Sequence, residues 1–223
     1  MDYTYQILLF VHVLLFVFWI GTDVGVFVLG KIGQSSRYSE TRRAESFETA
    51  LVLDRLPRIC FSLMLPVGAT LAQTIGMIQI SGAALAGIWL LGLLWLACVF
   101  TGMVVYSGTF FKTMRTIDRV IQGVVCLGTL WFGLPSMFGA GQIDAPWFAY
   151  KLVAFGMLAG AALCLDFASE PTPGMFAELQ NKGSSPGLEA RINSTMSRIY
   201  VFVAMIYFFA LVAAFCGVTK LPA

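Results

Sequence analysis

Six stretches of this chain are almost continuously apolar, and its polar residues collect between them. The apolar runs cover about 5–30, 57–79, 84–107, 117–138, 147–168 and 195–217. Each is long enough for a helix to cross a bilayer, which takes roughly 20 apolar residues. The pattern predicts an all-α polytopic membrane protein, a six-transmembrane-helix bundle. Between the first two runs, about 40–54 reads as an amphipathic helix opening at Ser39, with Phe47, Leu51 and Asp54 on one face. Pro57 then stands at the entry to the second run, where proline is tolerated. The third run is rich in Trp89, Trp95, Phe100 and Tyr106. The basic connection after it (Lys112, Arg115, Arg119) can extend the fourth helix. Gly139, Gly141 and Asp144 mark a short turn. Residues 169–190 carry Pro, Gly and Ser clusters and read as a loop with a weak surface helix near Met175 to Leu179.

The first run holds the only histidine, His12, and an acid, Asp23. At about 100° per residue His12, Phe16, Trp19 and Asp23 fall on one stripe. Ionisable groups inside a span are costly and usually face a bundle interior. Gly21 and Gly25, on the opposite face, allow a neighbouring helix to approach. At 1.5 Å per residue His12 lies about 10 Å below the outer surface and Asp23 about 16 Å further in, so each needs its own partner.

Composition agrees with the pattern. Of 223 residues, 58% are hydrophobic and 12% charged, with a mean hydropathy of +0.82; a soluble domain has about 25% charged residues. The chain reads as one integral membrane domain, 1–223. Asp2 in place of a basic n-region, and the length of the first run, argue against a cleaved signal peptide. Five cysteines stand singly in apolar runs, which disfavours disulfides and zinc. A net charge of +2 gives no reason to expect nucleic acid. Twelve of the 14 Lys and Arg residues fall in the first, third and fifth connections or their flanks, leaving Lys151 and Lys220 on the other side. By the positive-inside rule both termini are expected on the outer (periplasmic) side of a bacterial inner (plasma) membrane. Asn193-Ser194-Thr195 then faces the cytoplasm, where a glycosylation sequon has no use.

Four places could carry chemistry. His12 is either a buried hydrogen-bonding group or a ligand for haem or copper, both of which accept neutral imidazole. A single histidine excludes bis-histidine haem within one chain. Asp23 calls for a cation at the inner end of the second span: Arg58 first, Arg55 second, with Asp54 in the same dense run. That pair is either a register-fixing neutral pair or a gate. Pro66, with Gly68, marks an expected helix break: a kink or an ion site. Lys151, a turn inside the fifth span, either snorkels outward or turns inward to join His12 in binding an anionic group such as a propionate. Gly156 and Gly160 are expected at a packing face, and Asp166 at the inner interface.

His12, Trp19 and Gly21 in an apolar first helix resemble the opening helix of copper-resistance D-like membrane proteins and of HemJ-type protoporphyrinogen oxidases. Trp147-Phe148-Ala149-Tyr150-Lys151-Leu152 resembles the start of a later helix in the same proteins. The HemJ-type resemblance implies a haem-associated site at His12 and Lys151, with Trp19 beside it. It also implies an arginine near the end of the first helix, where this chain has Phe27 and Gly30, with Lys31 beyond. The copper-resistance resemblance implies metal movement across the inner membrane. The expectation is a haem- or copper-binding membrane protein in redox chemistry or metal handling. One alternative is a small-solute or ion transporter or channel with a polar path along the first helix. Another is a non-catalytic membrane subunit or scaffold. Whether the chain is an enzyme stays open. Its partners are the lipid bilayer and a homo-oligomer or membrane complex.

Overall fold

The computed structural model describes residues 3–105 and 108–221; Asp2 and Tyr106 lie outside the described residues. These residues form eight helices: α1 Tyr3–Gln34, α2 Glu40–Leu53, α3 Arg55–Thr74, α4 Gly82–Val104, α5 Gly108–Met137, α6 Pro146–Ser169, α7 Thr172–Lys182 and α8 Pro186–Thr219. Six are long and form an all-α bundle. Each packs on the next around a ring, α1 on α3, then α4, α5, α6 and α8, which touches α1 again. Five stretches have the length and apolarity to cross a membrane: α1, α4, α5, α6 running on into α7, and α8. The sixth long helix, α3, is 20 residues long and more amphipathic.

Local chemistry sets the ends. Ser39 caps α2 by accepting from the Arg42 backbone N–H at 3.4 Å. The second apolar run was expected to reach residue 79, but α3 stops at Thr74. Gly76 takes a left-handed φ of 72°. Its N–H donates to Gln73 O, and that of Met77 to Ala72 O, the paired bonds of a Schellman stop. The same device, with Gly139, closes α5. The basic connection is helical, as expected, and forms the first turns of α5.

Two apolar clusters hold the bundle. In the larger one Trp19 stacks on Phe61 (centroids 4.8 Å), which meets Trp95 edge-on at 4.7 Å. Small residues bring α5 and α6 together: a Cβ at Gly156 would lie 2.7 Å from Thr129 Oγ1, and one at Gly160 3.2 Å from Cys126 Sγ. The expected glycine face of α6 is therefore a packing face. Of the expected pair on α1, Gly25 behaves so, against Leu53 of α2, while Gly21 faces open space. The second cluster corrects the weak surface helix expected near Met175. In α7 the buried Met175, Phe176 and Leu179 share one face and pack on Leu188, Ile192 and Met196 of α8. Phe176 also stacks on Phe47 of α2 at 4.3 Å. Burial of such side chains stabilises by about 1.5–3 kcal/mol each, which outweighs the loop-like Pro and Gly residues around them.

Arg43 ties these pieces together. It is 1% exposed. Its Nε donates to Gly33 O at the end of α1 (2.8 Å), and its Nη1 and Nη2 donate to the Glu189 carboxylate of α8 (2.6 and 3.0 Å). A guanidinium suits this place because it satisfies a helix C-terminus and a carboxylate at once.

Candidate functional site

Two polar stations lie along the interior side of α1. The outer one joins α1 to α6. Lys151 turns inward instead of snorkelling, and its Nζ lies 3.5 Å from His12 Nε2. Both residues sit against glycines. A Cβ at Gly68 of α3 would lie 3.2 Å from His12 Cε1 and 3.7 Å from Nδ1, and a Cβ at Gly217 of α8 would lie 2.9 Å from Lys151 Nζ. His12 Nδ1 is buried and has no hydrogen-bond partner. The station therefore packs the imidazole against Gly68 and the primary amine against Gly217, and leaves one imidazole nitrogen without a hydrogen-bond partner.

Gly68 thus does something other than loosen the helix. The break expected at Pro66 and Gly68 is absent: α3 runs through Pro66 without interruption. Pro66 is instead a packing surface, and a Cβ at Gly92 of α4 would meet its Cγ at 2.7 Å. The carbonyl of Ser62, which Pro66 leaves without an intrahelical donor, faces the same glycine. Thr70, one turn on, accepts from Trp89 Nε1 at 3.0 Å and fixes α4 to α3 at this level.

The inner station surrounds a cavity of about 70 Å³, room for waters that occupy roughly 10–15 Å³ each. Trp19 and Asp23 of α1 line it, with Asp54 and Arg58, Asp118 and Gln122 of α5, and Asp166 of α6. Trp19 therefore belongs here, and the structure does not bring it to His12. The direct Asp23–Arg58 pair expected from the sequence gives way to another arrangement. Arg58 Nε binds Asp54 Oδ2 at 2.5 Å, one turn back on its own helix, and Nη1 reaches Asp166 Oδ1 at 3.9 Å. An i,i+4 partner forms with no rearrangement of other helices, so it wins over one on α1. Asp23 shares the cavity, with the Tyr207 hydroxyl beside it on α8. Arg55, the second choice for Asp23, does not line the cavity.

The sequence reading missed most of the α5 and α6 side of this station. Asp166 is buried, not interfacial, and gathers Arg119 (2.5 Å) and Arg115 (3.7 Å) as well as Arg58. Asp118 accepts from Trp95 Nε1 at 2.7 Å and from Gln122 Nε2 at 2.8 Å. The available signal was spacing: Arg115–Arg119 and Asp118–Gln122 are both i,i+4 pairs where the basic connection runs into the fourth apolar stretch. Chemically, the inner station can hold water and protons among carboxyls, and the outer station can ligate or receive an anionic group.

The class these features define is an all-α helical bundle with five stretches long and apolar enough to cross a membrane and two polar sites among its helices. Compared with protein-family models, curated proteins and solved structures, the chain matches none.

Proposed function

We propose that this chain is an integral protein of a bacterial inner membrane that binds haem or copper at the His12–Lys151 pair and serves redox chemistry or metal handling. The single observation that carries the reading is the meeting of His12 and Lys151, 139 residues apart, at 3.5 Å. The unpartnered Nδ1 supports an imidazole that acts as a ligand. His12 would hold the metal through its imidazole, and Lys151 would hold a carboxylate of the group. Haem, when bound, supplies one-electron redox chemistry. Among the described residues no three His, Cys, Asp or Glu side chains converge on a metal position.

In this reading α3 is the sixth span and both termini face outward. The arginines that gather with α2 and α7 at the end opposite His12 support that orientation. The outward face of α1 (Ile7, Phe10, Val13 and Val17, all exposed) meets lipid or a partner subunit. The test is an absorption spectrum with metal analysis on protein purified in mild detergent. A Soret band, or stoichiometric copper, that is lost in His12→Ala is expected; a colourless, metal-free protein overturns the proposal. Transport of a small solute or ion is the second reading, favoured by the alignment of His12, Trp19 and Asp23 along α1. Flux into liposomes that survives Asp23→Asn unchanged counts against it.

A further inference from the structure

The inner cavity carries chemistry that the His12–Lys151 site does not use. Of its acidic residues, Asp54 and Asp166 are answered by Arg58 and Arg119. Asp118 is held differently: both of its oxygens accept from neutral donors, Trp95 Nε1 and Gln122 Nε2. Gln122 is 4% exposed and lines the cavity, and its Oε1 has no hydrogen-bond partner. A buried amide oxygen without a donor is costly, so whatever fills the cavity must donate to it. An occupant placed among Asp23, Asp118 and Gln122 meets acceptors on several sides. With Arg58 as the cation on the same wall, it must donate more than once. A multidentate metal ion is not what this arrangement suits, because among the described residues no three carboxyl, thiol or imidazole groups converge.

We infer that the cavity is a proton-binding station, occupied by a hydrated proton shared between a water on Gln122 Oε1 and the carboxyls of Asp118 and Asp23. The step is a plain transfer: hydronium gives one proton to a carboxylate oxygen, leaving a carboxylic acid and a neutral water on Gln122. No electron moves and no further reactant is required. Exchange with bulk water runs past Arg58, whose side chain is 42% exposed. Every helix packed around the cavity contributes to the field that the proton meets. α1 brings Asp23, and α8 the Tyr207 hydroxyl beside it. Arg58 comes from α3, with Asp54 at its start, and the Cys98 thiol of α4 lies near Asp118. α5 adds Arg115 and Arg119, and α6 adds Asp166 and Glu170. The inference stands whether or not His12 holds a cofactor.

Infrared difference spectroscopy on the full chain in lipid nanodiscs tests it, with a pH titration from roughly 9 to 4. The wild type is expected to show a carboxylic-acid carbonyl band that grows as the pH falls and shifts in heavy water. Asp118→Asn should remove that band or most of its amplitude. Gln122→Met keeps the side-chain length and Asp118 itself but removes the acceptor together with the Nε2 donor to Asp118. It should move the midpoint by at least about one pH unit, a tenfold change in proton affinity. Asp144→Asn, outside the cavity, is the reference variant and should change nothing. A wild type with no titrating band overturns the inference. So does a band untouched by both Asp118→Asn and Gln122→Met. A midpoint that falls when sodium replaces choline at constant ionic strength assigns the cavity to a metal cation and equally overturns it.

Discussion

Converting Glu189 to glutamine should unlatch the short helices from the bundle. The carboxylate receives two charge-assisted bonds from Arg43, at 2.6 and 3.0 Å, and one from the Ser184 hydroxyl at 2.7 Å. Arg43 is almost wholly enclosed, and the Glu189 side chain is 19% exposed. Removing one partner of a buried pair strands the other charge, at about 3–5 kcal/mol. The partial exposure of Glu189, and the bond that Arg43 keeps to Gly33 O, place this case near about 3 kcal/mol. For a chain of this size about 2–4 °C of Tm goes with each kcal/mol, so a loss of about 6–12 °C is expected. Tryptophan-fluorescence melting in detergent measures it. The double variant Arg43→Met, Glu189→Leu should recover most of the loss, since apolar groups of similar volume often replace a buried pair without penalty. Acid should act like the substitution. Glu189 lies in the polar first turns of α8, ahead of its apolar run, and the bond from Arg43 holds its carboxyl below the ordinary value of 4.5. Its contribution is therefore complete above that value and is lost as pH falls through the lower, folded-state pKa. A Glu189→Gln protein that melts within about 2 °C of wild type, or a double variant no better than the single one, would refute the reasoning.

Other substitutions probe the helix contacts. Gly92→Ala places a Cβ 2.7 Å from Pro66 Cγ and 3.3 Å from Ser62 O; overpacking of this kind costs about 1–3 kcal/mol, visible as a lower melting temperature. Gly68→Val should displace the His12 ring and abolish any Soret band or bound copper while leaving the helix content by circular dichroism unchanged. Trp89→Phe removes the donor to Thr70 and should cost about 1 kcal/mol, with the inner-cavity infrared band unaffected. Asp166→Asn takes the shared partner from Arg58, Arg115 and Arg119 and should lower Tm more than Asp54→Asn, which touches Arg58 alone.

The helices were legible because their apolar length announces them, and the Ser39 cap because its residue type does. Lys151 had two readings from sequence, and the fold chose the inward one through Gly217, whose missing side chain leaves room for the amine. Pro66 was misread because a mid-helix proline signals a break. Here Gly92 on the facing helix makes it a contact surface, and no single-helix reading can see that. Arg43, Asp118, Gln122 and Asp166 were hidden for a related reason. Their polarity looked like solvent exposure, and their partners lie on other helices. The sequence shows that charge is present, and tertiary packing decides what it faces.

The ring of helices follows chain order, each long helix docking on the one made just before it. During synthesis the early helices can therefore settle pairwise as they leave the translocation machinery, with short loops to close. The exception is the seam where α6 and α8 meet α1. His12 waits for Lys151, and the lysine in turn waits for the glycine of the last helix. A truncated or stalled chain thus has a nearly complete bundle but an unfinished outer site until the final helix is in place.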